Sequence, residues 1–176
     1  YRMRYKYLSK WIEEKQLKFF NSKFRLLCID NDSLTKRLQS LSKKKFNIDI
    51  IKQKSFYLSN KNLFDLNNIF KGYVIYRRVI LKSDKFEPIK AESFFPIKYL
   101  NGKEKRLKML GNKSLGTYIL KPNKFKRLRT TFKNIDNQIC RSIVYRYKKK
   151  YVLVREYFPT TLKSETLTLL KCRRQV

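Results

Sequence analysis

From Tyr73 onward the chain is largely a succession of short runs rich in β-branched and aromatic residues, and this restricts the fold more than any other feature. Residues 73–82 form one such run, which reaches Ser83-Asp84-Lys85, a hairpin turn by composition. A second run follows through Phe94 and Phe95 to Pro96. Residues 141–147 and 151–158 flank Lys148-Lys149-Lys150 and read as a further antiparallel hairpin, with residues 125–132 as a strand before them. Residues 46–58 contain strand material, since Phe46, Ile48 and Ile50 alternate with polar residues. Strands that follow one another in sequence pair antiparallel through short turns, whereas parallel pairing needs long crossovers.

Helical signals lie early and midway. Residues 5–20 carry Leu8, Trp11, Ile12 and Leu17 at the spacing of an amphipathic helix. Asp32 or Ser33 supplies a cap for a short helix through Leu34-Thr35-Lys36-Arg37-Leu38. Residues 99–120, with Gly102, Gly111 and Gly116, read as helical pieces broken by turns. The predicted class is therefore α+β, an antiparallel sheet with helices packed on it. The 176 residues contain no repeat, low-complexity linker or Pro/Gly-rich hinge, which predicts one domain over residues 1–176.

Composition narrows the chemistry. There is no histidine, and Cys28, Cys140 and Cys172 are scattered without a CxxC, so the usual zinc and Cys–His arrangements are excluded. Catalysis would fall to carboxylate, arginine, lysine, tyrosine or backbone. The glycines form neither GxGxxG nor a P-loop, and no metal or cofactor is expected. No apolar run reaches the ~20 residues of a membrane span, and residues 1–10 show no signal peptide; a cytoplasmic monomer with reduced cysteines is the expectation. The net charge of +31 points towards nucleic acid or an anionic surface. However, the excess is spread along the chain and accompanies many Asn, Ile, Phe and Tyr, residues that share A/T-rich codons with Lys. A compositional bias accounts for that pattern, and no specific nucleic-acid partner is expected.

Two positions stand out. Alternation in residues 151–158 places Glu156 on the face of Val152, Val154 and Phe158, where a carboxylate is costly unless it is paired or functional. A structural ion pair is the alternative reading. In residues 73–82 two arginines point to opposite faces: Arg77 lies with Ile75, Val79 and Leu81, and Arg78 with Val74, Tyr76 and Ile80. Period two buries Arg77. A planar guanidinium within a sheet makes a good carboxylate clamp.

Four segments in order resemble the chorismate lyase family. They are Leu26-Leu27 with Ser33-Leu34-Thr35-Lys36-Arg37; Arg78-Val79-Ile80-Leu81 with Glu87-Pro88 and Pro96; Ser114-Leu115-Gly116-Thr117-Tyr118; and Arg141-Ser142 with Glu156-Tyr157-Phe158-Pro159. The resemblance covers residues 26–159 and leaves residues 160–176 as a tail of unassigned role. It implies an antiparallel sheet of about six strands with helices on it, in keeping with the α+β class, and a buried pocket under helical flaps. It also implies cofactor-free cleavage of chorismate into 4-hydroxybenzoate and pyruvate, on the route to ubiquinone. By resemblance the product carboxylate falls to Arg78, chosen over Arg77 by its spacing to Glu87-Pro88. Backbone amides at Leu34 and Leu115 assist, and Glu156 meets the phenolic hydroxyl. One departure is visible: Glu92 or Ser93 stands where the family carries an arginine ahead of the proline, which bears on the substrate's entry path. Two other readings share these features, an effector-binding domain of related fold and a basic nucleic-acid-binding protein.

Overall fold

A computed structural model of the chain describes residues 11–13, 33–42, 46–59, 69–84, 87–119, 125–136 and 138–159. Its strands are β1 (Ile12–Glu13), β2 (Asn47–Leu58), β3 (Gly72–Lys82), β4 (Ile89–Pro96), β5 (Lys126–Ile135), β6 (Gln138–Tyr147) and β7 (Lys150–Pro159). They form one antiparallel sheet in the order β1-β5-β6-β7-β4-β3-β2. The sheet thus has seven strands rather than about six, the seventh being two-residue β1 at its edge.

Among the described residues the helical elements are α1 (Leu34–Leu41), α2 (Leu115–Ile119) and two 3₁₀ segments, Ile97–Tyr99 and Gly102–Met109. Ser33 caps α1 by accepting a hydrogen bond from the Lys36 amide. In Gly102–Met109 the buried side chains Glu104 and Leu107, followed by Leu110, recur every third residue, as 3₁₀ geometry requires. Of the helix expected over residues 5–20, only residues 11–13 are described, and there Ile12 and Glu13 are strand, opposite Phe132 and Thr131. Pairing with β5 outweighs the local helical pattern. Leu8, Leu17, Cys28, Cys172 and the 160–176 tail lie outside the described residues.

The β6–β7 turn consists of Lys148 and Lys149 alone, with Lys148 at φ 53°, and Lys150 already pairs with Tyr147. This register sets Arg141 opposite Glu156. Two apolar clusters cover one face of the sheet. In the first, Leu34 and Leu38 of α1 pack on Val79, Leu81, Ile89, Phe132, Ile139 and Phe158. In the second, Leu107, Leu110, Leu115 and Ile119 pack on Phe95, Ile143, Tyr145, Val152 and Val154. A third, with Phe70, Val74, Tyr76, Phe94 and Leu153, occupies the opposite face. Among the described residues no helix is long and apolar enough to cross a membrane.

Candidate active site

Between the first two clusters the sheet carries polar side chains where its apolar pattern is interrupted. Arg77 on β3, Ser93 on β4 and Glu156 on β7 line a cavity of about 50 Å³ together with Val79, Leu81, Ala91, Tyr145 and Val154. Its roof is the start of α1 (Ser33, Leu34, Thr35) and the segment Lys113, Ser114, Leu115, Gly116 with Ile119. These two parts of the roof meet closely. A Cβ built on Gly116 would overlap the Ser33 hydroxyl, so glycine is what allows the α1 cap to lie against α2.

The cavity contains Leu34, Leu115 and Glu156, as the sequence leads one to expect, but not Arg78. Arg77 takes the inward position. The physical reason is strand alternation: Arg77 shares its face with Val79 and Leu81, and Arg78 projects to the opposite side. The spacing to Glu87-Pro88 that favours Arg78 runs through the β3–β4 turn, where a difference of one residue in turn length reverses the choice of face.

Arg77 is only 2% exposed. Its Nη2 donates to the carbonyls of Gly111 (2.7 Å) and Lys113 (3.3 Å), and its buried Nε has no hydrogen-bond partner. Gly111 adopts φ 51°, a left-handed conformation natural to glycine, in the turn that offers its carbonyl to Arg77. No carboxylate pairs with Arg77 among the described residues. Burial pushes its pKa down from 12.5, yet a guanidinium stays charged. It is therefore a buried cation held by carbonyl oxygens alone among the described residues.

Glu156 is also buried, at 8% exposure, but is paired. Both Nε and Nη2 of Arg141 lie 2.6 Å from its Oε2. In the sheet lattice Arg77, Ser93 and Val154 share one cross-strand row, and Val79, Ala91 and Glu156 the next on the same face. Two strand spacings and two residues of rise put the Arg77 and Glu156 Cα atoms roughly 12 Å apart. That separation lets two inward side chains grip opposite ends of a small aromatic acid. Sequence reasoning does not single out Ser33, Thr35, Ser93 and Tyr145 as cavity-forming residues, nor Arg141 as the partner of Glu156 behind the cavity wall. The signal for Arg141 lies in the hairpin register, which a two-lysine turn sets and a three-lysine turn does not.

On the reverse face Arg78 belongs to a different network. Its Nη2 lies 2.8 Å from Glu92 Oε1, and its Nε donates to the Tyr76 hydroxyl at 2.7 Å. Tyr76 and Tyr157 donate to the two oxygens of Glu92 at 2.8 and 2.7 Å. Burial acts to raise the Glu92 pKa, but the hydrogen bonds from Tyr157 and Tyr76 and the Arg78 charge outweigh it, leaving it below its ordinary 4.5. Burial, reinforced by the bond to Glu92, raises Tyr76 from 10.0 to about 12. The sequence departure at Glu92 or Ser93 is thereby resolved in space: Glu92 faces away from the cavity and Ser93 faces into it.

A pH dependence follows. A carboxyl with a depressed folded pKa stabilises the fold above its unfolded value, and that contribution fades as pH falls below 4.5 towards the folded value. A tyrosine with a raised pKa stabilises below 10.0, and its contribution is lost as pH climbs to about 12. Denaturant midpoints measured across pH should therefore show both limbs in the wild type. The acid limb should flatten in Glu92→Gln, and an unchanged acid limb would contradict this account.

An open cleft of about 620 Å³, lined in part by Asn47, Asp49, Leu110 and Tyr118, adjoins the cavity and shares Ile48, Lys113 and Ser114 with it. Sheet and roof thus enclose, on one face of an antiparallel sheet, a small cavity lined by a guanidinium with no carboxylate partner among the described residues. The chorismate lyase family model matches residues 7–164, and the chain belongs to the chorismate lyase family. No curated protein matches the sequence.

Proposed function

We propose that this protein is a chorismate pyruvate-lyase, which binds dianionic chorismate and releases 4-hydroxybenzoate and pyruvate. The observation that carries the reading is Arg77, a buried guanidinium with no carboxylate partner among the described residues, which lines the same cavity as Glu156. An uncompensated internal charge is expensive, and a bound ring carboxylate would satisfy it through a charge-assisted pair. The amides at the start of α1, near Leu34, and at Leu115 add donors on the same side of the cavity. Glu156 Oε1 then meets the ring hydroxyl at the far end.

The reaction is an elimination. The bond between the ring carbon and the ether oxygen breaks and the enolpyruvyl group leaves with that oxygen; the adjacent ring carbon that bears the hydroxyl loses its proton, and the enolpyruvyl methylene gains one to give pyruvate. Aromatisation supplies the driving force, so the protein has chiefly to orient the dianion and exclude water. The cavity has room for several waters at ~10–15 Å³ each. Admission of a ring requires α1 and the 113–116 segment to part at the Ser33–Gly116 seam, with the adjoining cleft as the approach.

Incubation of purified protein with chorismate should yield 4-hydroxybenzoate and pyruvate in equal amounts. Tight binding of 4-hydroxybenzoate without turnover would leave a ligand-binding member of the family and reject the lyase. The cytoplasmic and monomeric expectations, and a place before ubiquinone, belong to the same reading.

A further inference from the structure

We propose that Arg141 is a positioning residue that decides which oxygen of Glu156 meets the ligand; the inference rests on the reading of the cavity as an aromatic hydroxy-acid site. Arg141 is among the largest fully buried side chains, at 1% exposure. It stands directly opposite Glu156 across the β6–β7 ladder and opposite Phe132 across β5–β6, with its guanidinium over the Phe158 ring at 5.3 Å. The Phe158 ring beneath the guanidinium restrains the plane of the fork.

A guanidinium usually meets a carboxylate with two donors on two oxygens, which leaves neither oxygen for anything else. Here both donors, Nε and Nη2, converge on Oε2 at 2.6 Å. Oε1 has no partner among the described residues, and Glu156 lines the cavity. Arg141 thus neutralises one oxygen and delivers the other. Any hydrogen bond or proton that Glu156 exchanges with a ring hydroxyl passes through Oε1. Lysine would offer the charge as a single point without the planar fork.

The test compares calorimetric Kd values for 4-hydroxybenzoate and benzoate, which share the carboxylate held by Arg77 and differ only in the hydroxyl. In the wild type the hydroxyl should tighten binding about tenfold or more, the size of a charge-assisted hydrogen bond. In Arg141→Met that advantage should shrink to about threefold or less, while benzoate affinity stays within about threefold of wild type. In a Glu156→Gln background the same Arg141→Met change should have no further effect on the ratio, since the two residues act through one oxygen. Equal weakening of both ligands by Arg141→Met would mark a purely structural residue and overturn the proposal. Arg141→Met leaves Glu156 buried without its counter-charge; should it fail to fold, Arg141→Lys decides. A lysine variant with the full hydroxyl advantage would overturn the role of the fork, and a diminished advantage would support it. If the wild type binds neither acid, the reading of the cavity itself fails and this inference falls with it.

Discussion

Replacement of Arg77 by methionine should remove binding of 4-hydroxybenzoate almost completely while leaving the protein folded. Loss of one partner of a buried charge pair costs ~2–5 kcal/mol, which raises Kd roughly 30-fold to several thousand-fold. The stability side of the same substitution separates it from a general defect. In the free protein Arg77 is an uncompensated cation with an orphaned Nε, so its removal relieves a desolvation penalty while giving up two bonds to the Gly111 and Lys113 carbonyls. The melting temperature should therefore stay within a few degrees of wild type. Product should raise the melting temperature of the wild type and not that of Arg77→Met. Arg78→Met is the control. Its side chain is 40% exposed and paired to Glu92 on the reverse face, so product binding should survive. Loss of binding in Arg78→Met with retention in Arg77→Met would restore the choice drawn from family spacing and refute the cavity assignment.

That choice shows where the sequence was informative. Period-two alternation is a local property of a strand, and in β3 it places Arg77 with Val79 and Leu81 on the face that becomes cavity and core. Counting to Glu87-Pro88 crosses a turn, and turn length is the least constrained quantity in a hairpin. The same sensitivity applies between β6 and β7. A turn of three lysines would set Ser142 opposite Glu156; the observed turn, Lys148 and Lys149 with Lys148 left-handed, sets Arg141 there instead. One residue of turn separates a solitary carboxylate from a paired one. Alternation in β7 nevertheless placed Glu156 inward correctly.

Features that depend on distant partners were less legible. Ile12 and Glu13 have helical spacing with their neighbours, but β5 offers a strand edge that local pattern does not reveal. In β2 the alternation of Phe46, Ile48 and Ile50 does not continue, because the register with β3 shifts between Ile50 and Lys52. The inverse holds for α1 and the 3₁₀ segment. The Ser33 cap and the glycines at 102, 111 and 116 are short-range signals, and the helical pieces they predict are present. The net charge of +31 predicted nothing about the cavity. What matters there is a buried guanidinium, Arg77, with no carboxylate partner among the described residues, and bulk composition does not reveal pairing.

Glu156→Gln should lower kcat by about 10²–10⁴-fold with a smaller change in KM, the range expected for a proton-handling or charge-orienting group. The geometry makes the reason specific. Arg141 donates from Nε to Oε2 and holds Nη2 2.6 Å from the same oxygen, so a glutamine keeps that contact only by placing its carbonyl oxygen there. Its amide NH₂ then occupies the Oε1 position and offers a donor where the ring hydroxyl requires an acceptor. The substitution also leaves the Arg141 charge buried with a neutral partner, so a lower melting temperature is expected alongside the kinetic loss. Destabilisation by itself therefore decides nothing, and kcat must be measured well below the variant's own melting temperature. If Glu156 serves only as the counter-charge for Arg141, folded Glu156→Gln protein will turn over chorismate at nearly the wild-type rate despite its lower melting point. That outcome would remove Glu156 from the chemistry and leave Arg77 and the amides of the roof as the groups that act on substrate.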